Sequence, residues 1–276
     1  MTPNTMTAHA TSNLPVIWIT GASSGIGKAF AQQYAKDGAH LILSSRQVDE
    51  LEKLKSELTS FSNGDILVMP LDLSAGDGSL QKKTEKAWAW KNKVDVLVNN
   101  GGISQRSLFL ETDMKTIRRL LEVNLFGALA LSRFILPGMV NQGSGHIIVT
   151  SSVAGKFGTK YRSGYAASKH AIQGAFDSIR QEMYEHNIDI TLVCPGPIKT
   201  AITQNSLTGD GKAFGKMGDL HTHAMDPNEM LRRIWPKIKA RKEEITISGP
   251  KERLALLLKR AAPGILNRIL KQSKVV

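Results

Sequence analysis

The chain has 276 residues and 41% hydrophobic composition, which is enough for one large domain with a well-buried core. Its single cysteine, Cys194, excludes an internal disulfide, and the lack of a Cys-x-x-Cys pair or a His/Cys cluster predicts a reducing compartment and no metal site. The net charge of +12 is concentrated in residues 231–276, which hold thirteen lysines and arginines against three glutamates, so it indicates a local basic surface and no nucleic-acid partner.

The first fourteen residues predict a flexible start rather than a targeting signal. They contain no lysine or arginine and no apolar run of the length found in signal peptides. No stretch of the sequence approaches the roughly 20 apolar residues of a membrane span. We therefore expect residues 1–13 to be flexible and the protein to be cytoplasmic.

Short apolar runs alternate with longer helical stretches through the chain. The predicted strands are Val16–Thr20, His40–Ser44, 66–70, 94–98, 146–150 and 188–194. The predicted crossover helices are 25–37, 48–61, 78–90, 113–136 and 163–186. The strands are apolar throughout, as strands covered by helices on both faces are. The pattern predicts an α/β fold in one domain, residues 14–250, with a Rossmann-type doubly wound parallel sheet in three α/β/α layers.

The stretch 204–225 interrupts this pattern directly after the sixth predicted strand. It is rich in Gly, Ser, Thr and Asp and has little apolar periodicity. We interpret it as a substrate lid over about residues 203–226. His221 and His223 lie within it, but because no third ligand is in view we predict a solvated loop and no metal.

A glycine-rich turn follows the first strand, where residues 20–27 read TGASSGIG before a helix. Glycines at this spacing let the backbone turn tightly, approach a pyrophosphate and pack the start of the helix on the sheet. Turns use glycine freely, so the spacing alone does not identify a site. Its position between the first strand and the first helix predicts a dinucleotide site.

The end of the second strand bears on the choice of cofactor and reads Ser44, Ser45, Arg46 and Gln47. In dinucleotide folds an acidic residue here bonds the ribose 2′-hydroxyl, whereas arginine accommodates a 2′-phosphate. Arg46 can make a bidentate, charge-assisted pair with that phosphate, and the turn has no carboxylate. We expect NADP(H) in preference to NAD(H); the alternative is that Arg46 is only a solvated loop residue.

The segment that follows the fifth strand contains a serine, a tyrosine and a lysine at a spacing suited to carbonyl chemistry: Ser152, Tyr165 and Lys169. The i, i+4 spacing puts the tyrosine and the lysine on one helix face. An ammonium about 4–5 Å from a phenol is worth about 3–4 kcal/mol at an effective dielectric of ~20, which would lower the tyrosine pKa from ~10 to ~7–8. Tyr165 would then be an acid/base near neutral pH. The alternative, an ordinary surface tyrosine and lysine, leaves the coincidence with Ser152 and the glycine turn unexplained.

These motifs resemble the short-chain dehydrogenase/reductase family over nearly the whole chain. TGASSGIG is similar to the family's TGxxxGxG cofactor turn, residues 99–102 (NNGG) to its NNAG segment, and residues 195–200 (PGPIKT) to its PG motif. The positions that match its catalytic residues are Asn124, Ser152, Tyr165 and Lys169. Gly101 departs from the usual alanine, which removes a methyl group and should loosen the turn slightly.

The resemblance implies hydride exchange between a nicotinamide and a carbonyl or a primary or secondary alcohol. Ser152 would hold the substrate oxygen, and Tyr165 would exchange its proton. Lys169 would orient the ribose and lower the tyrosine pKa, and Asn124 would position a water that supplies protons to Lys169. The implied cofactor-binding residues are Gly21, Ser23, Ser24, Gly25, Ile26, Gly27, Ser45, Arg46, Asp72, Leu73, Asn99, Gly101, Tyr165, Lys169, Pro195, Gly196, Ile198 and Thr200.

The last part of the chain, residues 251–276, is a basic amphipathic extension that follows a predicted strand at 244–248. Two apolar stripes, one before and one after Pro263 and Gly264, are bordered by lysines and arginines. The first consists of Leu254, Leu257, Leu258 and Ala261, and the second of Ile265, Leu266, Ile269 and Leu270. Such a helix lies in a membrane interface, closes a substrate pocket or forms a subunit contact. The tail is similar to those of lipid-associated reductases in the branch of the family that includes dehydrogenase/reductase member 7, which favours an apolar substrate and peripheral contact with a membrane.

Two alternatives to an apolar carbonyl reductase remain open from the sequence. One is a 3-oxoacyl thioester reductase of fatty-acid synthesis, whose acidic carrier protein the basic tail would attract. The other is a nucleotide-sensing module without turnover, which the complete set of matched catalytic positions argues against. The family resemblance also implies a homo-oligomer, either a dimer or a tetramer.

Overall fold

The structure, a computed structural model, describes residues 14–215 and 224–273. Within these residues the strands are β1 Val16–Thr20, β2 His40–Ser44, β3 Ile66–Val68, β4 Val96–Asn99, β5 Gly145–Thr150, β6 Ile188–Pro195 and β7 Glu244–Ile247. The α-helices are α1 Gly25–Lys36, α2 Val48–Thr59, α3 Asp77–Lys91, α4 Met114–Leu121, α5 Gly127–Gln142, α6 Ser163–Met183, α7 Pro227–Lys239, α8 Pro250–Ala261 and α9 Pro263–Gln272. The predicted flexible start and the pair His221 and His223 lie outside the described residues.

The strands form one parallel sheet in the order β3-β2-β1-β4-β5-β6-β7. In β1, Ile17 pairs with Leu41 of β2 on one side and with Val96 of β4 on the other. Every residue of β1 is buried, because helices cover both faces of the sheet. The α/β class and the doubly wound parallel sheet predicted from the sequence are therefore confirmed.

Side chains along β1 alternate between two hydrophobic cores, one on each face of the sheet. Ile17 and Ile19 belong to the core that α1, α2 and α7 cover. Val16 and Trp18 belong to the opposite core, with residues of α3, α5 and α6. The two cores separate the molecule into the expected α/β/α layers.

The order of the strands places a ligand crevice beside β1. The chain moves outward from β1 to β3 and then returns to β4 on the other side of β1, so the order reverses between β1 and β4. In open α/β sheets, ligands bind outside the carboxyl ends of the strands at such a reversal. The glycine-rich turn after β1 and the segments after β4 and β5 begin at this edge of the sheet.

The predicted helix over 113–136 is longer in the structure than the sequence indicates. It comprises α4, a π-helical turn at Glu122–Phe126 and α5. Pro137, which favours a helix end because it lacks an N–H, lies inside α5, and the helix ends at Gly143 with a φ of 71°. Burial of Ile135 and Met139 on the core face of α5 accounts for the continuation.

The same helical region corrects the prediction that no stretch reaches the length and apolarity of a membrane span. Residues 114–142 do so by length and composition. Both α4 and α5 contribute buried residues, and α5 packs against α3 and β5. A core helix that is apolar on much of its surface satisfies the same criterion.

Helix α7 is the one long element within the described residues that the sequence analysis did not predict. The side chain of Asp226 caps it by accepting hydrogen bonds from the backbone N–H groups of Asn228 and Glu229, at 2.8 and 3.2 Å. Pro227 occupies its first position, as is common at helix starts. Apart from the helix predicted over 113–136, the helices and strands predicted between residues 16 and 248 agree with the structure to within three residues at their ends.

The C-terminal extension forms two helices, α8 and α9, which divide at Ala262, before Pro263. Leu266 is buried against Val153 and Phe157, and Leu258 is among the partly buried residues packed on them. Leu254 and Leu257, which the sequence places on one helical face with Leu258, remain exposed. The partly buried residues of α8 are Ala255, Leu256 and Leu258.

Candidate active site

The turn after β1 has the backbone that a pyrophosphate site requires. Gly21 and Gly25 have φ values of +65° and +55°, which favour glycine. A Cβ added to Gly25 would lie 2.8 Å from the side chain of Thr200, and one added to Gly27 would lie 2.1 Å from the carbonyl oxygen of Gly21. Helix α1 begins at Gly25, so its N-terminal N–H groups adjoin this narrow cradle.

A cavity of about 560 Å³ extends from this turn along the carboxyl edge of the sheet. Among the residues predicted to bind the cofactor, those that line it are Gly21, Ser23, Ser24, Gly25, Ile26, Ser45, Arg46, Asp72, Leu73, Gly101, Tyr165, Lys169, Pro195, Gly196, Ile198 and Thr200. Ser152 also lines it. The glycine-rich turn after β1 and three of the four predicted catalytic residues therefore share one cavity. The residues present fit a dinucleotide.

The far end of the cavity combines two arginines with one carboxylate. Ser45 and Arg46 line it after β2, and Arg119 reaches it from α4. Burial acts to raise the pKa of Asp72, but hydrogen bonds from Ser74 and the charges of Arg46 and Arg119 hold it below its usual range. This end of the cavity is therefore suited to an anionic group.

Tyr165 and Ser152 form the centre of the candidate site. Tyr165 is buried on α6 and shares a hydrogen bond with the Ser152 side chain. Ser152 Oγ also accepts a hydrogen bond from the N–H of Ala154, at 3.1 Å, which holds the hydroxyl at the start of a short 3₁₀ turn. The guanidinium carbon of Arg162 lies 5.8 Å from the centroid of the Tyr165 ring.

The electrostatics of Tyr165 differ from the sequence-based expectation. Burial raises the pKa of its phenol, and the charge that opposes this is on Arg162, together with the hydrogen bond from Ser152. Lys169 Nζ lies 5.9 Å from the ring centroid and donates instead to the carbonyl oxygen of Thr150, at 2.8 Å. Burial lowers the pKa of Lys169 to about 8. The expected lowering of the tyrosine pKa by the lysine is thus not present, because both groups are desolvated and the ammonium is directed elsewhere.

Asn124 lies in the π-helical turn and connects two parts of the site. Its Oδ1 accepts from the N–H of Ile103, at 2.8 Å, and its Nδ2 donates to the carbonyl of Ile103 and to Ser168 Oγ, each at 2.9 Å. A Cβ added to Gly102 would lie 3.0 Å from Asn124 Oδ1 and 3.8 Å from Lys169 Nζ. The amide of Asn124 and the ammonium of Lys169 therefore flank the same small space.

Two predicted cofactor residues do not line the cavity. Asn99 is on the Leu97 side of β4 because strand side chains alternate, and its Nδ2 bonds to Ser132 Oγ of α5 at 2.9 Å. Gly27 lies beneath the turn against Gly21. The adjacent Asn100 lines the cavity instead and donates to the Thr20 carbonyl oxygen at 3.2 Å.

Further residues line the cavity although the sequence analysis did not assign them to the cofactor. They are Thr20, Ser44, Gln47, Leu71, Asn100, Gly102, Ile103, Arg119, Val123, Thr150, Ser151, Ala201, Ile202, Asn205, Leu207, Gly211 and Ala213. Arg119 has an indirect signal, since it follows the fourth strand on a helix with two adjacent basic residues. Within the described residues, no group of three or more His, Cys, Asp or Glu side chains is arranged to hold a metal ion.

Residues 203–215 of the predicted lid form turns, and Leu207, Gly211 and Ala213 of this segment line the cavity. Leu207 pairs with Gln105, and the N–H of Arg106 donates to the Leu207 carbonyl oxygen at 2.8 Å. The guanidinium of Arg106 lies 5.2 Å from the ring centroid of Phe214 and 5.9 Å from that of Tyr161. Residues 216–223 of the predicted lid lie outside the described residues.

Residues 15–210 match the model of the family described as short chain dehydrogenase. The chain belongs to the short-chain dehydrogenase/reductase family. Dehydrogenase/reductase SDR family protein 7-like of Drosophila melanogaster is 38% identical over 253 residues, which cover 91% of this chain and 77% of the relative. This similarity places the chain in the member 7 branch of the family. It is an NAD(P)-dependent oxidoreductase.

Solved structures of this family share the fold. An alcohol dehydrogenase from the archaeon Thermococcus sibiricus, complexed with 5-hydroxy-NADP, is 26% identical with a TM-score of 0.73 and covers 85% of this chain and 96% of its own. A short-chain dehydrogenase/reductase from Burkholderia phymatum, in complex with NAD, has a TM-score of 0.78 at 21% identity and covers 95% of this chain and 98% of its own. Proteins of the same fold thus bind either cofactor.

Proposed function

We propose that this chain interconverts a carbonyl and a primary or secondary alcohol on an apolar substrate, with NADP(H) as cofactor and Tyr165 as the acid/base. The observation that carries the proposal is the convergence of Ser152, Tyr165 and Lys169 on the cavity that begins at the phosphate turn. When bound, the nicotinamide cofactor supplies or accepts the hydride. The residues of the chain then have to hold the substrate oxygen and move one proton.

Tyr165 exchanges that proton with the substrate oxygen, and Ser152 orients the oxygen by a second hydrogen bond. Their mutual hydrogen bond supports this assignment, because one oxygen atom placed against both hydroxyls replaces it. The Arg162 guanidinium stabilises negative charge on the phenol when the proton leaves. Burial of Tyr165 keeps competing water away from the transfer.

Lys169 and Asn124 form the route for proton resupply in this proposal. A water in the space beside Gly102 can accept from Lys169 Nζ and donate to Asn124 Oδ1, which has one lone pair left beyond its bond to Ile103. Lys169, whose pKa burial lowers to about 8, can release a proton near neutral pH. Its bond to the Thr150 carbonyl holds the ammonium at the cavity wall.

The preference for NADP(H) rests on the charges beside β2 and on α4. Arg46 and Arg119 line the cavity near Asp72, whose carboxylate is already bonded to Ser74. The excess positive charge suits a 2′-phosphate. Fluorescence titration with NADPH and NADH tests this: Arg46→Ala should weaken NADPH binding about tenfold or more, a loss of at least one charge-assisted bond, and leave NADH binding within about threefold. An unchanged ratio of the two affinities would overturn the preference.

Apolar side chains of the cavity support the proposal of an apolar substrate. Ile103, Val123, Ile202, Leu207 and Ala213 are among the residues that line it. They offer burial and few hydrogen-bond partners, so a hydrocarbon-rich ketone, aldehyde, quinone or alcohol gains most from entering. The described residues of the predicted lid contribute two of the five, Leu207 and Ala213, which supports the assignment of 203–226 as a substrate lid.

The decisive experiment is a panel of apolar ketones, aldehydes and quinones with the preferred cofactor, run with Tyr165→Phe beside the natural protein. We expect turnover that falls by about 10²–10⁴-fold in the variant while NADPH affinity changes less than about threefold. Turnover of 3-oxoacyl thioesters alone would favour the fatty-acid alternative. Cofactor binding with no turnover of any compound would favour the sensing module.

A peripheral membrane contact through residues 251–276 is the second part of the proposal. The inner face of α9 packs on the fold through Leu266, whereas Leu254, Leu257, Ile265 and Ile269 are 47 to 63% exposed. Six lysines and arginines and one glutamate in α8 and α9 surround them, which complements an anionic lipid surface. Location at the cytoplasmic side of a membrane follows from this proposal.

Vesicle sedimentation tests the membrane contact. The natural protein should bind vesicles of phosphatidylcholine with about 30% phosphatidylserine, and salt should weaken the binding. Leu257→Asp with Ile269→Asp should abolish it, while Leu110→Asp, at a leucine outside the tail that is more exposed than either, serves as the control. The expected homo-oligomer is tested on the same variants by light scattering; a tail variant that becomes monomeric would assign the exposed face to a subunit contact instead.

A further inference from the structure

Helix α6, which carries Tyr165 and Lys169, starts without a cap from its own sequence. The residue before it, Arg162, makes no side-chain hydrogen bond to the first turn. The backbone N–H groups of a first turn have no partners within the helix and need acceptors elsewhere. Here the acceptor comes from Gln105, which lies after β4: its Oε1 accepts from the N–H of Gly164 at 2.7 Å and from that of Tyr165 at 3.3 Å.

The other end of the Gln105 amide is held as firmly. Its Nε2 donates to Ser107 Oγ and to Thr112 Oγ1, each at 3.1 Å, and the residue is fully buried. The opposite orientation of the amide would put its NH₂ group against two N–H donors, so the network fixes which end faces the helix. Gly164 has no side chain, which allows this approach: a Cβ there would lie 3.0 Å from Gln105 Oε1.

The backbone on both sides of Gln105 holds the predicted lid. The N–H of Leu207 donates to the carbonyl oxygen of Ser104 and the N–H of Arg106 donates to the carbonyl oxygen of Leu207, both at 2.8 Å. Leu207 lines the same cavity as Tyr165. Gln105 therefore lies between the catalytic helix and the lid segment. Its side chain accepts two hydrogen bonds from α6, and the residues on either side of it are hydrogen-bonded to Leu207.

We propose that Gln105 is a positioning residue that sets the place of Tyr165 relative to the lid, through its side-chain cap on α6 and its backbone pairing with Leu207. The catalytic part of this inference rests on the proposed function; the structural part does not. Loss of the side-chain carbonyl releases the first turn of α6, so the Tyr165 hydroxyl loses its alignment with Ser152. The cofactor turn after β1 is not touched by Gln105 and should keep its affinity.

Two variants separate the cap from the mere presence of a side chain. Gln105→Leu removes both hydrogen-bonding ends at similar volume. Gln105→Glu keeps an acceptor for the two N–H groups, is favoured at a helix N-terminus, and can accept from the hydroxyls of Ser107 and Thr112 when they rotate. Gln142→Leu is the matched control, because Gln142 is a partly buried glutamine whose Nε2 bonds to Asp95 and Ser144 at the opposite edge of the sheet.

Kinetics with NADPH and the fastest apolar carbonyl of the panel give the first readout. Gln105→Leu should lower kcat by about 10- to 100-fold, the size of effect expected from a displacement of about 1 Å, with KM and NADPH affinity within about threefold. Gln105→Glu should recover kcat to within about threefold of the natural protein, and Gln142→Leu should retain it. A Gln105→Leu protein with unchanged kcat would overturn the positioning role.

Amide hydrogen exchange gives a readout that needs no substrate. Gln105→Leu should speed exchange at Gly164 and Tyr165, Gln105→Glu should restore their protection, and Gln142→Leu should leave it unchanged. Unaltered protection of these two amides in a folded Gln105→Leu protein would refute the cap itself. If the panel shows no turnover, the proposed reaction fails, but the exchange result still decides whether Gln105 holds the start of α6.

Discussion

Replacement of Lys169 by methionine should make the protein more stable near neutral pH while it removes activity. Lys169 is 4% exposed, and burial lowers its pKa from 10.5 to about 8. Since each pKa unit corresponds to about 1.4 kcal/mol, the folded state loses roughly 3 kcal/mol by holding this group protonated below pH 8. Loss of the bond to the Thr150 carbonyl returns about 1–2 kcal/mol of that, so Lys169→Met should gain about 1–2 kcal/mol at pH 7.

The pH dependence provides the sharper test because its sign is fixed. Between pH 8 and 10.5 the unfolded chain keeps a proton on Lys169 that the folded chain has released, so the free energy of unfolding of the natural protein rises with pH. The cost of the buried ammonium is complete below the folded pKa of about 8, decreases as the pH rises, and is absent above the unfolded pKa of 10.5. Relative to Lys169→Met, the natural protein should therefore gain about 1.4 kcal/mol per pH unit in this window.

Urea unfolding of both proteins measures the difference between their free energies of unfolding. It is carried out at about pH 7, below that window, and at about pH 8, 8.75 and 9.5, in its lower part. This range ends before the tyrosines titrate in the unfolded chain, and taking the difference between the proteins removes groups that they share. Lys86→Met, at an exposed position of α3, is the control and should show no such slope. Parallel curves for the natural protein and Lys169→Met would refute the claim that Lys169 is a desolvated ammonium.

Three further predictions concern individual contacts. Ser152→Ala removes a hydrogen bond that lowers the pKa of Tyr165, so the acidic limb of the pH profile of kcat for alcohol oxidation should move to higher pH. The profile is measured with the best alcohol, and an acidic limb at unchanged pH would contradict this assignment. Gly101→Ala places a methyl 2.7 Å from Leu73 Cδ1, the end of a side chain that can turn aside, so unfolding experiments should show a loss below about 1 kcal/mol; a loss above about 2 kcal/mol would show that Leu73 cannot move. Asp226→Ala should cost about 0.5–2 kcal/mol in urea unfolding, Asp226→Asn much less, and equal losses would rule out the cap on α7.

The parts of the fold that the sequence predicted are those with a one-dimensional signal. The strands read as uninterrupted apolar runs because helices cover both sides of the sheet, and β1 is buried along its full length. Helix α5 was cut short at Pro137, since proline is a local stop signal and the burial that overrides it is tertiary. Helix α7 was missed although Asp226 and Pro227 form a regular start, because it follows the polar stretch that was interpreted as a lid.

The candidate site divides in the same way. The glycine turn and the spacing of Tyr165 and Lys169 are local and could be predicted, and the structure brings them to one cavity. Asn99 could not be separated from Asn100 by a motif, because the direction of each side chain depends on the register at the end of β4. Gln105 gives no sequence signal, since its partners on α6 are about 60 residues away along the chain.

Desolvation links the electrostatics of the site to the apolar substrate that we propose. Burial raises the pKa of Tyr165 and lowers that of Lys169, so each group is driven toward its neutral form. A water-filled cavity would reduce both effects, and apolar side chains, among them the buried Leu207, form part of the cavity lining. An apolar substrate completes the exclusion of water, and the field of Arg162 on the phenol then acts with less screening. A hydrated substrate would weaken that field. The same desolvation that costs stability at Lys169 should therefore favour proton transfer to hydrocarbon-rich carbonyls.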